Sequence, residues 1–293
     1  MSSILPQNHV IRTSQRSDEI GTIQGRSSHP DKIIANYEPP TSITKTGTST
    51  KSVLNDPSSQ STWAHRAWMA SGFTIVLISL TRSGTGAIDS HTWVGPLIAG
   101  LIGYVVSDLV AGIFHWAVDN YGSAKTPIFG RLIDAFQGHH KWPRSTTRNQ
   151  FAKNLHELAR GVTLSVLPIN LLCNNPMILA FVGVLSGCLM FSLQIHSWAH
   201  GTKSEVPSIV LALQDARILL SRSNHAAHHC PPYNKSYCTV SGLWNQYLDR
   251  YKVFELLEIN FFFKFGVRPR SWDEPNSEWT EETETLEPMP ASY

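Results

Sequence analysis

The sequence has few cysteines and little net charge, and each shortage removes a class of function. Four cysteines, Cys173, Cys188, Cys230 and Cys238, occur in 293 residues and form no CxxC pair. That pattern argues against a disulfide framework and reads as free buried thiols in a reducing compartment. Lys and Arg number 24 against 22 acidic residues, a formal charge of +2. No basic cluster is interleaved with aromatics, so nucleic acid is excluded as a partner. The N-terminus lacks the basic-then-apolar layout of a secretory signal. Residues 1–60 contain no apolar run at all, hold eighteen Ser/Thr, and cannot bury enough surface to fold alone. The HExxH signature of zinc proteases is also missing, because His156-Glu157 is followed by Leu-Ala-Arg.

Long apolar segments are present, and they organise the rest of the chain. Trp93–Phe114 is 22 residues with one charge, Asp108, and Pro176–Ile195 is 20 residues with none. Either can cross a hydrocarbon core of about 30 Å as a helix. Two shorter stretches, Trp63–Leu80 and Gly161–Cys173, are less clear, the second carrying Pro168 and Asn170. Neither Ser83–Thr92 nor Asn174-Asn175 contains Lys or Arg, and of the 24 basic residues only Arg82 borders either loop. That asymmetry follows the positive-inside tendency and counts both stretches as spans. The expected fold is an all-α integral membrane protein with about four transmembrane helices in two hairpins and a helical, histidine-rich cap on one face. Residues 1–60 are read as a disordered segment with the Ser/Thr richness of an organelle transit peptide, 61–285 as the membrane domain, and 286–293 as a tail. Asp273–Glu287 holds seven acidic and no basic residues and reads as solvated.

Histidine is the unusual count, at thirteen. On the topology above, His115, His139, His140, His156, His196, His200, His225, His228 and His229 all fall on one face. His91 falls on the other, and His9, His29 and His65 lie outside the clusters, so these four are left out of the site. Helical side chains three or four apart point the same way. His196 and His200 are i,i+4; His225, His228 and His229 are i,i+3,i+4; His115 and Asp119 are i,i+4. A tetrahedral zinc needs three or four protein ligands, so this surplus points to two metals with nearly all-nitrogen shells. Imidazole suits Fe, Cu, Ni and Zn alike. Asp108 and Asp119 are expected to accept the outer N–H groups of metal-bound histidines, although Asp119 also suits a helix-end turn with Asn120-Tyr121-Gly122. Such a site can activate O2 beside a bilayer, where the substrates at hand are lipid acyl chains.

Five segments carry a family resemblance: D-L-V-A-G-I-F-H-W-A-V-D-N-Y-G (108–122), F-Q-G-H-H-K-W-P (136–143), Q-I-H-S-W-A-H-G-T-K (194–203), S-R-S-N-H-A-A-H-H (221–229) and Y-C-T-V-S-G-L-W-N (237–245). With these the chain resembles the plant plastidial lipid desaturases that introduce a trans double bond into the palmitoyl chain of phosphatidylglycerol. More distantly it resembles the animal plasmanylethanolamine desaturases. The resemblance implies a di-iron centre, cycling between Fe2+ and Fe3+, on His115, His139, His140, His196, His200, His225, His228 and His229. His156 matches the plant branch alone, and Asn154 is a candidate to hold a water on a metal. Close plant relatives tend to read Q-H-A-E-H-H where this chain has Asn224 and Ala227; neither change removes a ligand, and substrate choice is what they put in doubt.

The implied reaction removes a hydrogen from each of two adjacent methylenes, both atoms of O2 leave as water, and no acid or base of the protein beyond the metal ligands is needed. Two electrons come from outside, in a plastid from ferredoxin, and Lys141, Arg144, Arg148 and Lys153 are candidates to steer such an acidic carrier. Membrane-lipid contact explains those four equally well. The implied setting is a chloroplast membrane with the catalytic face toward the stroma. Two other readings of the same histidines are a lipid hydroxylase and a membrane metal-binding adaptor without catalysis. A transporter fits less well, because the histidines lie beyond the helix ends.

Overall fold

The structure is a computed structural model that describes residues 59–272, all within a compact unit that starts at Thr48. The segment read as a transit peptide, up to residue 58, the acidic stretch 273–287 and the tail 286–293 lie outside the described residues. Nine α-helices occur among those described: α1 (Trp63–Asp89), α2 (Val94–Asn120), α3 (Gly130–Lys141), α4 (Phe151–Leu172), α5 (Pro176–His200), α6 (Ser208–Asp215), α7 (Arg222–Ala226), α8 (Asn245–Arg250) and α9 (Val253–Phe265). No strand occurs among the described residues.

Four long helices form the body. α2 packs chiefly along α5, while α1 packs on α4 and α5 and barely touches α2, its neighbour in sequence. Small residues set these pairings. A Cβ on Gly103 of α2 would lie 2.6 Å from the carbonyl oxygen of Phe181 in α5, and one on Gly72 of α1 would lie 2.9 Å from the Cβ of Ala159 in α4. Removing the side chain lets the backbones meet, as in helix pairs within lipid. The outside is apolar: Leu77, Leu97, Leu101, Leu164, Leu167 and Leu171 are exposed, whereas Ser79, Ser83, Asp108 and Asn170 are buried. The buried polar groups satisfy one another. Ser79 Oγ donates to Asn170 Oδ1 at 2.9 Å, and Asn170 Nδ2 donates to the carbonyl of Ile75 at 3.0 Å.

Two helices, α2 and α5, are long and apolar enough to cross a membrane. The two shorter stretches become complete helices, α1 of 27 residues and α4 of 22. α4 runs through Pro168 instead of ending there. Arg82, the one basic residue at the margin of the uncharged loops, caps α4. Its guanidinium donates to the carbonyl of Cys173 at 3.1 Å and also to the carbonyl of Asn170 and the side chain of Asn174. It thereby satisfies carbonyls that a helix end leaves open.

The remaining helices cover the far end of the bundle, and a buried carboxylate ties them to it. Asp108 Oδ1 accepts the backbone N–H groups of Val240, Ser241 and Gly242 at 3.0, 2.8 and 3.0 Å, and Oδ2 accepts that of Trp244 at 3.3 Å. Burying a charge is tolerable only with such a full set of donors. α9 buries Phe254 against Trp116 and Tyr237 and, one turn on, Glu258, which takes the indole N–H of Trp116 at 3.0 Å and of Trp272 at 2.9 Å, while Leu256, Phe263 and Phe265 are exposed. Gly266, at φ +69, closes that helix in the left-handed conformation that suits glycine.

Candidate metal centre

The end of α2, the last turn of α3, the end of α5 and the segment 225–229 converge beneath this cap. Eight histidines and one aspartate meet there in two groups: His139, His196, His200, His225 and His229 in one, and His115, Asp119, His140 and His228 in the other. Within each group the ligand atoms lie within 4.8 Å of one another. The groups adjoin, with ring centroids 5.3 Å apart for His115 and His196 and 5.1 Å for His140 and His229.

In the five-histidine group the Nε2 atoms face each other. Separations are 2.9 Å for His139 and His196, 3.3 Å for His196 and His200, 2.7 Å for His200 and His225, and 3.2 Å for His225 and His229. A metal–nitrogen bond of about 2.1 Å places neighbouring octahedral ligands about 3.0 Å apart. The donor set therefore fits one metal ion with five nitrogens around it. Burial, reinforced by the surrounding imidazoles, pushes His139, His225 and His229 well below the ordinary histidine range. The neutral form this favours is the one that binds metal.

The second group is anchored by carbonyls. His115 Nδ1 lies 3.0 Å from the carbonyl oxygen of Tyr237, and His228 Nδ1 lies 2.8 Å from that of Lys235. A carbonyl only accepts, so Nδ1 carries the proton and Nε2 presents a lone pair. Both Nε2 atoms lie close to Asp119 Oδ2, His115 at 3.2 Å and His228 at 3.3 Å, with His140 Nε2 at 3.0 Å. Lone pairs aimed at a carboxylate oxygen in a buried space repel unless a cation lies among them, and this set too fits a metal. Burial holds the His228 imidazole down at about 4.

Three residues expected at the site are not brought to it. His156 stacks on His65, ring centroids 4.0 Å apart, and pairs with Glu157 at 3.3 Å on a part-exposed stretch of α4. It belongs to neither group. Asp108 is spent on the 240–244 backbone as described, in place of a histidine N–H. Asn154 donates to Gln194 Oε1 at 3.0 Å and to the carbonyl of Thr146 at 3.2 Å, holding α4 to α5. Asp119 sits with the Nε2 atoms themselves, at a ligand position and not behind one. Arg144, read as a steering charge, is held by Glu205 at 2.8 and 3.1 Å. Tyr237 was not singled out by residue type. It is fully buried, with its ring against His115 and His228 and its hydroxyl donating to the carbonyl of Tyr233 at 3.0 Å; its only signal in the sequence was its place at the head of the Y-C-T-V-S-G-L-W-N segment.

Comparison with known proteins identifies the family. Residues 104–272 match the lipid desaturase domain family. The chain is 55% identical over 223 residues to fatty acid desaturase 4, chloroplastic, of Arabidopsis thaliana, covering 76% of this chain and 69% of that one. It is 31% identical over 206 residues to plasmanylethanolamine desaturase of Myxococcus xanthus, covering 69% and 72%. With plasmanylethanolamine desaturase 1 of Mus musculus the identity is 30% over 213 residues, covering 69% and 77%. No solved structure matches the chain.

Proposed function

The chain belongs to the lipid desaturase family, and from that premise we propose that it is a membrane-bound, O2-dependent di-iron desaturase of chloroplast lipids. Its substrate on this reading is phosphatidylglycerol, and its product carries a trans double bond in the palmitoyl chain. The observation that carries the proposal is the pair of adjoining buried donor groups, since one alone would suit a single-metal protein. His139, His196, His200, His225 and His229 hold one iron, and His115, Asp119, His140 and His228 hold the other. When bound, the iron pair would supply the O2 chemistry that takes two hydrogens from adjacent methylenes, with two electrons from a ferredoxin-like carrier and two protons from solvent completing the release of both oxygen atoms as water.

The protein's own residues do the rest. Burial keeps the imidazoles of His139, His225, His228 and His229 neutral and available as ligands. The carbonyls of Tyr237 and Lys235 orient His115 and His228, and the cap keeps bulk water from the site. Hydrophobic residues on the outer faces of α1, α2, α4 and α5 contact lipid, giving four spans with the metals at the stromal ends. Residues up to about 60 act as the transit peptide, and 61–285 form the desaturase domain.

The test is to express the chain in a host that accumulates phosphatidylglycerol, profile its lipids by head group and sn position, and measure metal in the purified protein. Two irons per chain and a new double bond, both lost in His196→Ala, are expected. A hydroxylated chain without a double bond would make the protein a hydroxylase. Zinc, with unchanged lipids, would leave a metal-binding adaptor.

A further inference from the structure

α9 has two opposite faces. One carries Phe254 and Glu258 and is buried in the cap. The other carries Leu256, Ile259 and Phe263, which follow one another at three and four residues and so share a side, and all three are exposed, Phe263 by 83%. Asn260 beside them turns its amide back on the helix, donating to the carbonyl of Leu256 at 2.8 Å. A surface helix in water keeps its outer face polar, whereas this outer face is apolar. The thirteen residues of α9 rise about 20 Å, short of a hydrocarbon core of about 30 Å. Left-handed residues stop the helix at both ends, Lys252 at φ 52 and Gly266 at φ +69. α9 is therefore too short to be a span, and the part of a bilayer that suits an apolar face on so short a helix is its surface layer.

What covers this face follows from its neighbours. Leu101, Val110 and Ile113 are exposed along α2 and face lipid on the proposed topology. Just past Ile113, Phe261 of α9 packs on Trp116 and Tyr121, with ring centroids 5.9 and 5.5 Å apart. The apolar face of α9 thus begins where the lipid-facing surface of α2 stops, at the end of α2 that carries His115. Lys264 and Arg268 are exposed at the C-terminal end of α9, and Lys264 Nζ lies 5.2 Å from the centre of the Phe265 ring. Such side chains lay their stems on apolar surface and reach the head groups with their charge. The helix is also close to the metal groups: Phe254 meets the Tyr237 ring at 5.0 Å, and the Tyr237 carbonyl holds His115 Nδ1 at 3.0 Å.

We propose that α9 is an in-plane membrane helix, lying where head groups meet acyl chains in the leaflet on the metal side, and that it seats the cap and its metal groups against the lipid surface. The inference rests on α2 being a span and not on the desaturase chemistry. The full chain, metal-loaded and reconstituted in phosphatidylcholine nanodiscs, carries the photo-crosslinker p-benzoylphenylalanine at one position at a time, and the adducts are mapped by mass spectrometry. A probe at Phe263 should give a lipid adduct within about twofold of one at Leu101 on α2, and about tenfold above one at Lys203, which is exposed in the loop after α5. Ile259→Asp combined with Phe263→Asp should cut the lipid adduct of a probe at Phe265 about tenfold, since charge is costly below the head groups, at unchanged metal content and melting temperature in detergent. A probe at Phe263 that gives no lipid adduct while Leu101 gives one overturns the proposal. So does one that joins a second copy of the chain or the chain's own terminal segments, and so does a double Asp variant that keeps the lipid adduct. No lipid adduct at Leu101 would defeat the span itself, and the proposal with it, while leaving the desaturase chemistry to its own test.

Discussion

Replacing Asp108 by Asn tests whether this buried carboxylate is a girder of the cap or a partner of the metals. Three backbone N–H groups share its Oδ1 at 2.8 to 3.0 Å, and a fourth reaches Oδ2 at 3.3 Å. A hydrogen bond to a charged acceptor is roughly twice as strong as a neutral one, so each of the first three loses about 1 kcal/mol when the acceptor becomes an amide oxygen. The amide NH2 then opposes the N–H of Trp244, for about 1 kcal/mol more. The sum is about 4 kcal/mol, and in a domain of this size each kcal/mol shifts the midpoint by about 2–4 °C, so the variant should melt about 8–16 °C lower. Thermal loss of helical circular dichroism in detergent gives the shift, and metal analysis well below the transition gives occupancy. Occupancy should be unchanged, because no histidine touches Asp108. A midpoint within about 1 °C of the wild type would refute the account, and metal loss at an unchanged midpoint would return Asp108 to the metal site.

His156→Ala should leave metal content and lipid product within about twofold of wild type, whereas His139→Ala and His196→Ala should abolish both, as read by metal analysis and lipid profiling. Acid should release metal. His228 sits at about 4 when folded against an ordinary value of 6.5, and His139, His225 and His229 are lowered as well. The opened chain therefore takes up protons first, and stability that is complete above pH 6.5 falls as the pH drops from 6.5 toward 4, by up to about 1.4 kcal/mol per unit for each histidine. Metal retained after dialysis across that window reads the effect, and full retention at pH 5 would contradict it. Asn245→Ala removes the buried amide that takes the N–H of Cys238 at 2.8 Å and donates to its carbonyl at 3.2 Å. A loss of about 3 kcal/mol is expected, with the metal at His115 released before the other, visible as a fall toward one metal per chain.

The helices and the one-sidedness of the histidines were legible because both follow from patterns along the chain. A 22-residue apolar run needs a helix wherever it is placed, and i,i+4 pairs such as His196 and His200 share a face in any helix. What was not legible depended on contacts between distant segments. Asp108 and Asp119 look alike in sequence, each a carboxylate near the end of an apolar run. One turns toward backbone from residues 240–244 and the other toward three imidazoles, and only the docking of the cap decides which. His156 has a histidine's chemistry and an eligible position on the metal face, but α4 rotates it toward His65. Arg82 is part of the same lesson, since its charge reads as an exception to the positive-inside pattern until the α4 carbonyls are seen to take it up.

The consecutive histidine pairs explain why there are two donor groups and not one. Neighbours along a helix point about 100° apart, whereas residues four apart share a face. His139 and His140 on α3 accordingly divide between the groups, as do His228 and His229 in the turn that follows α7, while His196 and His200, His225 and His229, and His115 and Asp119 each stay together. α2 therefore serves one group and α5 the other, but α3 and the 225–229 segment serve both. Any movement of those two shared elements must alter the two groups at once. The carbonyls of Lys235 and Tyr237 and the Asp108-bound backbone that follows them hold the cap against α2. The cap thus fixes the spacing between the two donor groups as well as covering them, which the proposed two-metal reading needs.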